Sequence, residues 1–61
     1  MLKDAERFIK VYDSLPLEER KNTIMVIDDE PVSWSLAHEE IRNNTKRGKT
    51  ILKNLIELEL I

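Results

Sequence analysis

The sequence predicts a small all-α protein, three to four helices built around a helix-turn-helix, and three observations predict it. The 61-residue chain has one Gly and two Pro and is rich in Lys, Glu, Ile and Leu, which is the composition of a mostly helical protein. Its apolar residues recur at helical spacing in most windows. Breaks at Ser14, Pro31 and Asn43-Asn44 cut it into segments of helix length. Length allows one domain, over 1–61, with a marginal core: a chain this short buries only about 60% of its unfolded surface. Without cysteine there is no disulfide or thiolate metal site to supplement that core, so a partner is expected.

The first element is a helix over 3–13, because Ala5, Phe8, Ile9 and Tyr12 follow an i, i+3, i+4, i+7 pattern. Ser14 and Pro16 end it and start a second helix over 16–28, with Glu18 and Glu19 in a first turn where the helix dipole favours acids. Leu17, Ile24 and Ile27 share one face of that helix. "TIMVI" alone suits a strand, but the helix formers ahead of it favour helix. Asp28-Asp29-Glu30-Pro31 reads as the loop that ends it.

"VSWS" is short and extended, and Ser33 or Ser35 caps a third helix over 34–42 that buries Leu36, Ala37 and Ile41. Trp34 reads as an anchor of the core or of the helix start. Asn43-Asn44 makes the turn, since asparagine tolerates left-handed backbone. Asn44 or Thr45 caps a fourth helix over 45–58. Gly48, Ile51, Leu52 and Leu55 face inward; Lys46, Thr50, Lys53 and Glu57 face outward; Arg47, Lys49 and Asn54 lie on the flanks. The domain then divides into an N-terminal helix (1–13) and a trihelical core (16–61).

A formal net charge of −2 conceals a strong polarity. Arg42, Lys46, Arg47, Lys49 and Lys53 fall within twelve residues that contain no acid, while the remainder has five basic and twelve acidic residues. A solvated helix face usually mixes both signs, so this one points to an anionic partner, nucleic acid first.

Catalysis finds no constellation. "RGKT" resembles the end of a phosphate-binding loop, but Asn43 stands where that loop needs its first glycine, and no parallel sheet fits in the chain. Asp28-Asp29-Glu30 lacks calcium-loop spacing. His38, the lone histidine, sits beside Glu39 and Glu40 on what reads as an exposed surface. The expectation is a non-enzyme with no cofactor, no metal and no small-molecule substrate. "TIMVI" is far too short to span a membrane, and "MLKDAERFIK" has no apolar signal core, so a soluble cytoplasmic protein without a membrane partner is expected.

From Pro31 to Ile61 the sequence resembles the helix-turn-helix core of winged-helix DNA-binding proteins. Ser35-Leu36-Ala37-His38-Glu39-Glu40-Ile41 matches the family's first helix of the motif. Leu52, Leu55, Leu60 and Ile61 match the apolar positions of its recognition helix. With Pro16–Ile27 as the preceding helix, the resemblance covers 16–61. It departs from the family in its asparagine turn, in an inward Gly48, and in the wing, which is absent. It implies a double-stranded-DNA-binding transcriptional regulator. Helix 45–58 then enters the major groove, with the Asn44-Thr45 end against a phosphate and Lys46, Thr50, Lys53 and Asn54 toward base edges. Arg42, Arg47 and Lys49 contact flanking phosphates. Phe8 and Tyr12 of the first helix, with Leu58 and Ile61, are the expected dimer or partner interface of a homodimer. The rival reading is a helical accessory subunit docking on a larger protein such as a DNA-processing enzyme, since Leu55, Ile56, Leu58, Leu60 and Ile61 are more apolar surface than a small core buries.

Overall fold

The segment expected as the second helix is where the chain departs from an all-α protein. In the computed structural model, which describes residues 2–61, it forms a single 3₁₀ turn (Glu19–Lys21) and then an antiparallel β-hairpin. The fold is α+β, in the order α1 (Ala5–Ser14), β1 (Thr23–Ile27), β2 (Glu30–Ser33), α2 (Trp34–Arg42) and α3 (Lys46–Glu57). The all-α expectation is therefore wrong, and the reason is local. Thr23, Ile24, Val26 and Ile27 are β-branched, and such side chains lose χ1 freedom in a helix but sit well on a pleated strand. The helix-start signals at Pro16, Glu18 and Glu19 produce only a tight turn, with Glu19 N–H donating to the Pro16 carbonyl at 3.0 Å, and the 3₁₀ turn, closed by Asn22 N–H donating to the Glu19 carbonyl at 3.0 Å.

Asp28 and Asp29 are likewise no helix-ending loop. They are the central pair of a two-residue hairpin turn, with φ of 52° and 66°. Positive φ at both positions defines the type I′ turn, whose twist matches that of paired strands, and aspartate is among the few residues that tolerate it. Ile27 faces Glu30 across the turn, Val26 faces Pro31 and Met25 faces Val32. Pro31 thus occupies a non-hydrogen-bonded position of the ladder, where its missing N–H points away from β1 and costs no pairing. Between Met25 and Thr23, which pairs with Ser33, the register shifts, leaving Ile24 as a bulge residue.

The other three helices lie close to their expected limits. Ser33 caps α2, its Oγ accepting from Leu36 N–H at 3.1 Å, and Thr45 caps α3, its Oγ1 accepting from Gly48 N–H at 2.9 Å. Asn44 turns the chain between them with φ of 57°.

The core joins all layers: Ala5 and Phe8 from α1, Val32 from β2, Trp34, Ala37 and Ile41 from α2, and Ile51, Leu52 and Leu55 from α3. Trp34 is 8% exposed and its ring lies 5.9 Å from that of Phe8, so it anchors both the core and the start of α2. With no helix over Pro16–Ile27, the trihelical core expected over 16–61 is not there; α1 supplies the third helix, packed on α2.

Candidate nucleic-acid interface

The basic helix is held by a close backbone approach to α2. Gly48 of α3 lies directly on the backbone of Glu40 and Ile41 in α2, so the two helices meet where any side chain would hold them apart. Ile51, Leu52 and Leu55 are buried on the same face. This fixes the outward face: Lys46, Lys49, Thr50 and Lys53 are exposed, as the helical spacing predicts. Arg42, ending α2, and Asn44 in the turn are exposed beside the start of α3. The structure therefore puts Lys46, Lys49, Thr50 and Lys53 on one exposed face of α3, with Arg42 and Asn44 exposed where α2 gives way to it.

The remaining expected contact residues are engaged elsewhere. The Thr45 hydroxyl accepts the cap bond and lies 3.2 Å from the Glu40 carbonyl oxygen and 3.0 Å from its Oε1, while Thr45 N–H donates to the same carbonyl at 3.1 Å. Thr45 is a joint between the helices before it is anything else. Arg47 is half-buried and forms an ion pair with Glu30 of β2 at 2.8 Å. Asn54 is half-buried on the flank.

Spacing could not reveal the acids beside α3. Once the hairpin forms, Glu30 reaches Arg47, and Asp28 shares a shallow depression with Ile27, Lys46, Arg47 and Thr50. The run without acids in sequence thus has carboxylates next to its first turns in space. On the opposite flank Lys49 and Lys53 border an apolar cleft floored by Leu2, Leu52 and Ile56, with Lys3, Asp4 and Glu57 at its rim. The least compensated part of the basic face is its Lys49–Lys53 side.

The expected partner interface also changes. Phe8 is fully buried, so it is a core residue and presents nothing to a partner; its place in the i, i+3, i+4 stripe fits a core role equally well. Tyr12 is half-buried, its ring stacked on His38 at 4.2 Å and covered on the guanidinium side by Arg20 at 4.4 Å. His38 is accordingly half-buried in an aromatic stack, not a free surface group. Ile61 packs against the core, and its carbonyl accepts from Arg7 Nη2 at 3.0 Å. Leu58, in contrast, is 60% exposed. Among the described residues no helix is long and apolar enough to cross a membrane. No family model, curated protein or solved structure matches the chain.

Proposed function

We propose that this protein binds double-stranded DNA through the outward face of α3, as a small cytoplasmic transcriptional regulator. The observation that supports this reading best is the exposed row Lys46, Lys49 and Lys53, with Thr50 between them and Arg42 beside its start. Its backing is rigid, because Gly48 and three buried aliphatic residues seat α3 on α2. A helix presented this way can lie in the major groove, with ammonium groups reaching phosphates or guanine edges and Thr50 near the groove floor. The resemblance of residues 31–61 to a helix-turn-helix core supports the same reading.

Salt titration of duplex binding tests the reading. Each phosphate-contacting cation releases counterions, so log affinity falls linearly with log salt, by about one slope unit per contact. Affinity that collapses between low and moderate salt is expected. Absence of binding even at low salt would sink the proposal.

One observation favours the rival, a non-enzymatic accessory subunit on a larger protein: Leu58 and Leu60, just after α3, stand 60% and 44% exposed. That reading gains if duplex binding is absent.

A further inference from the structure

The hairpin has two edges, and they are treated differently. β2 is blunted by Pro31, whose ring removes the N–H that would point outward. It is also the strand that packs on α2, through the buried Val32. β1 has neither charge nor proline to protect its edge from Thr23 to Ile27, and its one bulge, at Ile24, lies away from the Val26 end. The register places Ile27 opposite Glu30 across a two-residue turn, so that pair exchanges hydrogen bonds and the Val26 N–H and C=O point away from β2. Among the described residues neither group has a partner outside the hairpin. The Val26 side chain is 65% exposed. A two-stranded sheet is also marginal by itself and gains from more strands.

We propose that the open edge of β1 pairs antiparallel with β1 of a second copy, joining two hairpins into one four-stranded sheet. Charge selects this occupant and this direction. Lys21 precedes the strand and Asp28 and Asp29 follow it, all exposed. Antiparallel pairing sets each Lys21 against the partner's acidic turn, whereas parallel pairing would bring acidic turn onto acidic turn. The uncharged strand between them has nothing to repel its own copy. An isologous seam needs such a self-complementary pattern. The proposal does not rest on DNA binding, since its seam is the β1 edge and its test leaves the exposed cations of α3 untouched.

The test is a chain of full length made by chemical synthesis with the Val26 amide N-methylated, which deletes the outward N–H and leaves every side chain in place. Sedimentation velocity from micromolar to millimolar concentration should show the wild type dimerising. The N-methylated chain, with unchanged far-UV circular dichroism, should dissociate roughly tenfold to a hundredfold more readily, because two symmetric backbone bonds are lost. Lys21→Asp should weaken the dimer, and Leu58→Asp, at the C-terminal apolar surface, should leave it intact. In the wild type, exchange at the Val26 amide should slow as concentration rises, a reading that needs no variant to fold. A monomer at millimolar concentration, a dimer unaffected by N-methylation, or Val26 exchange independent of concentration would each overturn the proposal.

Discussion

A Cβ on Gly48 would stand 2.5 Å from the carbonyl oxygen of Glu40 and 2.7 Å from its carbon. That carbonyl cannot retreat freely, because it accepts from Thr45 N–H at 3.1 Å. Gly48→Ala should therefore destabilise the protein, by about 1–3 kcal/mol for overpacking, even though alanine is worth about 1 kcal/mol more than glycine in an unconstrained helix. Urea unfolding measures the sign directly. A stabilised alanine variant would mean that α2 and α3 cross far enough apart to admit a Cβ at Gly48.

Thr45→Ala should cost about 1 kcal/mol through loss of the α3 cap. Thr45→Ser keeps the oxygen that accepts from Gly48 N–H and should recover most of it. Thermal unfolding of the pair separates capping from any loss of DNA contact.

Asp29→Gly should stabilise the hairpin. Asp29 holds φ of 66°, a conformation that costs any residue with a Cβ and costs glycine nothing, so a gain of about 0.5–1 kcal/mol is expected. Chemical-shift dispersion of the Thr23–Ser33 amides should be preserved. Loss of stability would argue against a type I′ turn.

Within the DNA proposal, the ion pair between Arg47 and Glu30 at 2.8 Å makes the five cations unequal. Lys49→Ala and Lys53→Ala should each lower duplex affinity and flatten the salt slope by about one unit. Arg47→Ala should do less, because its charge is already balanced. Glu30→Gln should strengthen binding by releasing that charge. Equal effects at all three cations would show that the pair opens or does not matter on binding.

Phe8→Ala should unfold the subunit rather than separate subunits. Phe8 is fully buried against Trp34 and Tyr12, and truncating a buried phenylalanine typically costs about 3–5 kcal/mol, comparable to the whole stability of a domain this small. Fluorescence of Trp34, the single tryptophan, reports the loss.

The three helices were legible because each has a clear stripe and a polar break: Ala5, Phe8 and Ile9 in α1, Ala37 and Ile41 in α2, Ile51, Leu52 and Leu55 in α3. The hairpin was not, although its signals are present. "TIMVI" is ambiguous by period alone, and the helix formers before it outweighed its β-branching. Asp28-Asp29 suits a helix stop, and between an apolar run and "EPVS" the pair equally fits a two-residue turn. The tertiary contacts that depend on the hairpin are invisible without it. Arg47 meets Glu30 only after β2 folds back, and the acid-free run in sequence gives no sign of carboxylates arriving from another element. Phe8 suits an interface or a core equally in sequence, because a stripe on one helix does not say which neighbour covers it.

The order of neighbours in the fold also governs how fast it can form. β1 packs on β2, β2 on α2, and α2 on α3, so each of these joins closes only a short loop of chain. The N-terminal segment, docking on α2 across the hairpin and meeting the C-terminal end through Arg7 and Leu2, requires longer ones. Entropy lost in closing loops grows with their length, and proteins dominated by such near-neighbour joins fold in microseconds to milliseconds. The hairpin and the α2–α3 unit should therefore assemble first, and α1 should close over Trp34 last.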